Sequence, residues 1–211
     1  MLFRSHRRAQ RLPAQVFELV ERLQSLTRLD PDAALAAMPL AEDALCVHGR
    51  PIHAAVLCQL MAEAAHLDEA ATRSLMAAAL THDIALLPLA QTLHSHQGAL
   101  PDGLRAQVNA HPEAGAILLR DQGVDDPLWL DIVLHHHERL DGSGYPHALQ
   151  ADAIHTACRI ATLVDTFCAM IRPRAYRQAV VAKQPLKDLS LQRRVQVDGD
   201  LTALFIRAIG M

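Results

Sequence analysis

Apolar residues recur every three or four positions along most of the chain, the spacing that places them on one face of an α-helix. Two helices are predicted between residues 14 and 45, and the second begins with Asp30 as its N-cap and Pro31 at its first position. Pro51 introduces the apolar segment IHAAVLCQLMAEAAHL, and Asp68 caps the segment EAATRSLMAAALTH that follows. These two segments predict an antiparallel helical hairpin.

Glycine and proline interrupt this pattern in the second half of the chain. They recur through 84–103, which predicts a loop or a broken helix there. The segment ERLDGSGYPHALQ, which starts at Glu138, is predicted to be a loop because its glycines and its proline would break any helix. Further helices are predicted at residues 102–110, from 112 onward, and at 127–137, 151–171, 175–195 and 200–209.

The composition favours helices packed against helices. Of the 211 residues 51% are hydrophobic, but only 3% are aromatic. A core built mainly from Ala and Leu suits helix packing, because sheets prefer β-branched and aromatic side chains. We therefore expect an all-α protein, in which an N-terminal arm and additional helices (1–45) precede a helical bundle (46–211).

Charge and cysteine content narrow the possible functions. A formal net charge of −3 gives no general electrostatic attraction to nucleic acid, so no DNA contact is expected. No apolar run is long enough to span a bilayer, and we expect a cytoplasmic protein. The cysteines form no C-x-x-C pair and are predicted to be small buried hydrophobes. They are Cys46, Cys58, Cys158 and Cys168.

Polar side chains continue several of the apolar helical rows. His136 and His137 extend two rows of the helix over 127–137, and His82 extends a row of the helix before it. Asp165 lies on the apolar stripe of the helix over 151–171. An unpaired buried carboxylate is costly, so it must face a cation, a hydrogen-bond network or a metal ion.

Imidazoles and carboxylates on separate helices are the mixed ligands from which metal sites in helical bundles are built. The candidate ligands are His82, Asp83, His111, His136, His137 and Asp165. Six ligands exceed the need of one tetrahedral ion, which points to at least two metal ions bridged by Asp83 and a hydroxide. The competing interpretation is that each histidine is a hydrogen-bonded core residue, and it is the better one for any single histidine.

The other histidines are assigned to the surface or to loops. They are His6, His48, His66, His94, His96, His147 and His155. His135 is expected to point away from the pair that follows it, because successive helical positions are about 100° apart.

Four strings in the chain resemble the HD-GYP family of cyclic dinucleotide phosphodiesterases, a branch of the HD metal-phosphohydrolase superfamily. They are THDIALLP (81–88), HPEAG (111–115), HHERLDGSGYP (136–146), and ACRIATLVDTFCAM (157–170) with RAYR (174–177) behind it. The third string is highly specific, whereas the pair His82–Asp83 alone is a weak signal. The resemblance covers roughly residues 45–190 by motif order and spacing.

The resemblance implies that the six candidate residues ligate two or three divalent metal ions, usually iron or manganese. A bridging hydroxide would attack the phosphorus of cyclic di-GMP, and the resemblance assigns catalytic roles to Asp83 and His111. It makes Tyr145, Arg174 and Arg177 candidates for binding the substrate. The same loop around Tyr145 is associated in the family with contacts to diguanylate cyclase domains.

Three departures from the family pattern leave two hypotheses open. Arg50 stands where the family usually has an upstream histidine, although His53 could substitute for that ligand. Leu86 stands where the family commonly has a lysine near the scissile phosphate, and RAYR replaces an RPYR-like element. The first hypothesis is an enzyme that hydrolyses a cyclic dinucleotide, or another nucleotide phosphate. The second is a catalytically degenerate module that senses a dinucleotide or docks a signalling partner.

Overall fold

The computed structural model describes residues 11–36, 49–171 and 197–209. These residues form helices, short 3-10 turns and loops without a β-strand, which confirms the all-α prediction. The α-helices are α1 (Arg11–Leu29), α2 (Pro31–Ala36), α3 (Gly49–Ala64), α4 (Glu69–Thr81), α5 (Ala90–Ser95), α6 (Asp102–Asn109), α7 (His111–Asp121), α8 (Pro127–His135), α9 (Thr156–Ile171) and α10 (Gly199–Ala208).

The predicted hairpin is formed by α3 and α4, and the stretch predicted to be broken holds a 3-10 turn, Ile84–Leu89, followed by α5. The long helix predicted from residue 151 is wrong at its start. Ala151 has a φ of 37°, outside the right-handed helical region, and the α-helix begins only at Thr156. The predicted helix over 175–195, Arg174, Arg177 and the domain boundary after residue 45 lie outside the described residues.

The core fixes the end of α4 against α8. The fully buried Trp129 of α8 donates its indole N–H to the hydroxyl of Thr81 over 2.8 Å. Its ring also meets Phe17 of α1 edge-on, with 5.4 Å between the ring centroids. Thr81 is the residue before His82. This buried hydrogen bond therefore fixes the position of the backbone from which His82, the first histidine of the candidate site, extends.

The N-terminal helix α1 packs on the hairpin through Val16 and Val20, and Gln24 donates to the side-chain oxygen of Gln59 over 3.2 Å. Cys58, Cys158 and Cys168 are buried, as predicted, whereas Cys46 lies outside the described residues. None of the helices in the described ranges combines the length and the apolarity needed to cross a bilayer.

Asp126 both caps α8 and ties it to α4. Its carboxylate accepts from the backbone N–H of Trp129 over 3.0 Å and from the hydroxyl of Ser74 over 2.7 Å. Asp68 caps α4 with a bond to Ala71 N–H over 2.7 Å, and its side chain makes no bond to another helix in the described structure.

We predict that Asp126→Ala lowers the free energy of unfolding more than Asp68→Ala does. Loss of the cap costs about 1 kcal/mol in each variant. Asp126→Ala loses in addition the bond to Ser74, worth roughly another 1 kcal/mol. Urea denaturation followed by circular dichroism measures both values, and equal losses would show that the Ser74 bond contributes nothing.

Candidate metal centre

Four histidines converge at the ends of three helices. His82 follows α4, His111 begins α7, and His136 and His137 follow α8. The ring centroid of His136 lies 4.9 Å from that of His82, 5.1 Å from that of His111 and 4.1 Å from that of His137. The helical rows that His82, His136 and His137 continue in the sequence thus end at one place inside the bundle, beside His111.

The same backbone bond orients three of the imidazoles. The Nδ1 atoms of His82, His111 and His136 lie 2.9, 2.6 and 2.7 Å from the carbonyl oxygen three residues earlier. A carbonyl can only accept, so Nδ1 carries the proton in each ring and Nε2 of the neutral ring holds a lone pair. Histidines that bind metals are commonly held by such a second bond.

The inward Nε2 atoms have no donor to satisfy them within the described structure. Nε2 of His111 faces Nε2 of His136 across 3.1 Å, so two lone pairs point at each other. Nε2 of His82 is buried and has no hydrogen-bond partner. An unsatisfied buried polar atom is costly, and a cation between these nitrogens would remove that cost.

Burial keeps three of these rings in the neutral form that binds metals. It lowers the pKa of His111, lowers that of His136 well below its usual value, and lowers that of His137 to about 4. His82 differs: burial acts to lower its pKa, but the neighbouring Asp83 and Asp165 outweigh that effect and raise it.

Two carboxylates lie beside the imidazoles. The two oxygens of Asp83 face different histidines, one 3.5 Å from His111 Nε2 and the other 3.6 Å from His82 Nε2. Asp165 lies 3.5 Å from His82 Nε2. Burial acts to raise the pKa of Asp83, but His82 and Arg50 outweigh it and hold that pKa below its usual value. Asp83 is therefore placed to bridge two positions.

Arg50 enters the same cluster from α3. Its guanidinium lies 3.1 Å from Asp83 and forms an ion pair with Asp165. Burial acts to lower the pKa of Arg50, but Asp165 and Asp83 outweigh it and raise that pKa. Among the described residues of α3, Arg50 rather than His53 pairs with these carboxylates, and His53 is half-buried. The sequence analysis aligned Arg50 with the upstream histidine of the family, but it did not predict the two ion pairs that Arg50 forms.

The donor set fits divalent metal ions. One ligand atom from each of His111, His136 and His137 lies within 4.8 Å of the others, and the same holds for His82, Asp83 and His136. Together they offer imidazole nitrogen and carboxylate oxygen, the mixture that suits iron, manganese or zinc. His136 belongs to both groups, so the two groups lie side by side.

The loop after His137 is held by Glu138, which the sequence did not single out. This carboxylate is 1% exposed and accepts from the backbone N–H of His147 over 2.7 Å and of Leu149 over 3.0 Å. Its only sequence signal is an acidic residue between a double histidine and a glycine loop. A buried carboxylate that accepts from two loop amides holds the loop beside the candidate centre.

Gly144 brings that loop against the backbone of the preceding residues. A Cβ at this position would lie 2.5 Å from Arg139 N and 2.6 Å from the carbonyl oxygen of His137. Tyr145 N–H donates to the same oxygen over 3.3 Å, and its ring centroid lies 4.8 Å from that of His137. Burial raises the pKa of Tyr145 to about 12, so the hydroxyl stays protonated.

An open cavity of about 510 Å³ lies beside the carboxylate of Asp83. Arg50 and Asp83 are on its wall, and Leu86, Leu87 and Ile52 supply apolar surface. Leu86 therefore faces the cavity next to the candidate centre, where it adds no charge.

The profile of the HD domain family matches residues 6–201. A cyclic di-GMP phosphodiesterase from Pseudomonas aeruginosa is 27% identical over 214 aligned positions, covering 100% of this chain and 51% of that protein. A cyclic di-GMP phosphodiesterase response regulator from Xanthomonas campestris is 33% identical over 135 positions, 64% of this chain and 36% of that protein. A 3′3′-cGAMP-specific phosphodiesterase from Vibrio cholerae is 28% identical over 163 positions, 77% of this chain and 35% of that protein.

The chain spans about half the length of these curated relatives or less. Among solved structures, a HDG"Y"P protein from Bdellovibrio bacteriovorus superposes with a TM-score of 0.75 at 15% identity. The superposition covers 98% of this chain and 69% of that chain. At this level of identity the likeness shows the fold alone, and it agrees with the helical bundle described above.

We predict that Gly144→Ala destabilises the protein by about 1–3 kcal/mol, because the added methyl group has no room against the backbone. Gly103→Ala is the matched control, since a Cβ at Gly103 meets no atom within 4 Å. Urea denaturation compares the two variants. A Gly144→Ala protein as stable as the control would contradict the close approach of the loop.

Proposed function

Because the chain belongs to the HD domain family, we propose that its buried centre binds divalent metal ions and hydrolyses a phosphodiester bond of a cyclic dinucleotide. The observation that carries the proposal is the pair of Nε2 lone pairs of His111 and His136, which face each other across 3.1 Å. The names of the relatives, which act on cyclic di-GMP or 3′3′-cGAMP, support this substrate class.

We assign the ligands to two positions. His111, His136 and His137 would hold one ion together with the oxygen of Asp83 that faces His111. His82 and Asp165 would hold the other with the second oxygen of Asp83. Nitrogen and oxygen donors suit iron, manganese or zinc, and the family resemblance implies iron or manganese.

The side chains around the centre have separate tasks in this proposal. Divalent ions, when bound, supply an activated water and neutralise the phosphate oxygens. Asp83 orients both positions because its two oxygens face different imidazoles, and His111 is held in the correct tautomer by its bond to the backbone. The protonated hydroxyl of Tyr145 can donate to the substrate, and the apolar wall around Leu86 can pack against a base.

A second candidate function is a binding module that senses a dinucleotide without cleaving it. Arg50 favours it, because this side chain already neutralises the two carboxylates of the second position. Leu86 favours it as well, since a cation beside the scissile phosphate would stabilise developing charge and leucine cannot. Docking of a diguanylate cyclase domain on the loop around Tyr145 stays a prediction.

Metal content and turnover separate the two candidates. We predict that protein purified without chelator contains Mn or Fe and, with either metal added, converts cyclic di-GMP or 3′3′-cGAMP to linear product. His136→Gln should lose the ion at the first position and turnover, because His136 supplies one of the three imidazoles assigned to that position. The control is His66→Asn, at an exposed position with a φ of 56° that asparagine tolerates.

Elemental analysis and chromatography of the products give both readouts. If the fully metal-loaded protein binds dinucleotide saturably but forms no product, the protein is a sensor and the phosphodiesterase proposal is wrong. Full metal content in His136→Gln would contradict the ligand assignment itself.

We also predict that the second ion binds more weakly than the first, and that Arg50→Ala strengthens it at least about tenfold. A unit charge about 4 Å away contributes on the order of 4 kcal/mol near a protein surface. Removing the guanidinium therefore frees both carboxylates for the ion. Calorimetric titration with Mn²⁺ checks this, and an unchanged second affinity would show that Arg50 does not compete.

A further inference from the structure

A second group of metal-binding side chains lies outside the centre described above and shares no residue with it. Asp131 and His135 are one turn apart on α8, and Cys158 faces them from α9. His135 Nδ1 lies 2.8 Å from one oxygen of Asp131, and the thiol of Cys158 lies 3.4 Å from the other. One ligand atom from each of the three residues lies within 4.8 Å of the others.

We propose that Asp131, His135 and Cys158 form a separate binding site for a thiophilic divalent cation, with zinc as the ion. One oxygen, one nitrogen and one sulfur are all established zinc donors, and the thiolate sets this group apart from the N/O centre. Bond lengths of about 2.0–2.3 Å in a tetrahedron require ligand atoms roughly 3.3–3.7 Å apart. The 3.4 Å contact falls in that range, the 2.8 Å contact lies below it, and no pair of ligand atoms is more than 4.8 Å apart, so rotation of these side chains can bring the three atoms around one ion.

His147 supplies the outer contact that such a site needs. Its Nδ1 lies 3.0 Å from Nε2 of His135. If Nδ1 of His135 binds the ion, its Nε2–H donates to His147, the kind of bond that usually fixes a metal-binding imidazole. His147 belongs to the loop that Glu138 holds. The ion would therefore connect this loop to α8 and α9.

The site is partly exposed to solvent. Cys158 is buried, whereas the side chain of Asp131 is 40% exposed. Asp131 also lines an open cavity of about 590 Å³, together with Arg120, Asp125 and Leu134, which gives an ion a path inward. Binding would displace the thiol proton of Cys158 to solvent and leave the fourth ligand position to water.

Cobalt distinguishes this site from the N/O centre, because only a thiolate ligand produces a near-ultraviolet sulfur-to-cobalt charge-transfer band. We expect this band in the full chain titrated with Co²⁺, and we expect Cys158→Ala to abolish it. Cys168→Ala is the matched control, since Cys168 is also buried on α9 but lies one turn from Asp165. This control should keep the band.

Three results would overturn the proposal. They are the absence of the band in the folded, cobalt-loaded chain, its persistence in Cys158→Ala, and its loss in Cys168→Ala. If circular dichroism shows that Cys158→Ala does not fold, His147→Ala decides, because His147 is exposed and its loss should spare the fold. That variant should bind cobalt at this site about 10–100-fold more weakly, and an unchanged affinity would equally contradict the site.

Discussion

Three buried imidazoles that each give their Nδ1 proton to the backbone are the constraint on which the centre depends. The last carbonyl groups of a helix have no partner within the helix, and the three rings donate to such carbonyl groups at the C-terminal ends of three helices. The proton on Nδ1 leaves a lone pair on Nε2, and the fold then encloses these lone pairs together. The backbone thus leaves the Nε2 atoms of the neutral His111 and His136 rings as candidate ligand atoms.

Much of the centre could be predicted because helical periodicity is a local property. A histidine that continues an apolar row must face inward wherever the helix packs, and this placed His136 and His82 correctly. The role of Arg50 could not be predicted in this way. Its partners Asp83 and Asp165 come from distant segments, and only tertiary packing brings the three together. The role of Glu138 was not predicted for a related reason. Its partners are backbone N–H groups of the loop, and almost any residue type at those positions could supply them.

Buried charge distinguishes the two sides of this candidate centre. Asp83 and Asp165 need positive charge nearby, and the described structure supplies it through Arg50. The nitrogens of His111 and His136 have no such partner. The two sides of the centre therefore differ: Arg50 neutralises the carboxylates on one side, whereas the imidazole nitrogens on the other side face each other without a donor in the described structure. Asp83 contacts Arg50 on one side and His111 on the other. A substitution that moves Asp83 therefore alters the electrostatics of both sides.

The loop that begins at Glu138 is fastened by its backbone, through Gly144 and through the amides of His147 and Leu149. Side chains that point outward, such as those of Asp141 and Ser143, take no part in this fastening to the centre and are exposed. Substitution of these two side chains is expected to leave the orientation of the imidazoles behind them unchanged. The charge of this outer surface can therefore be altered separately from the geometry of the interior.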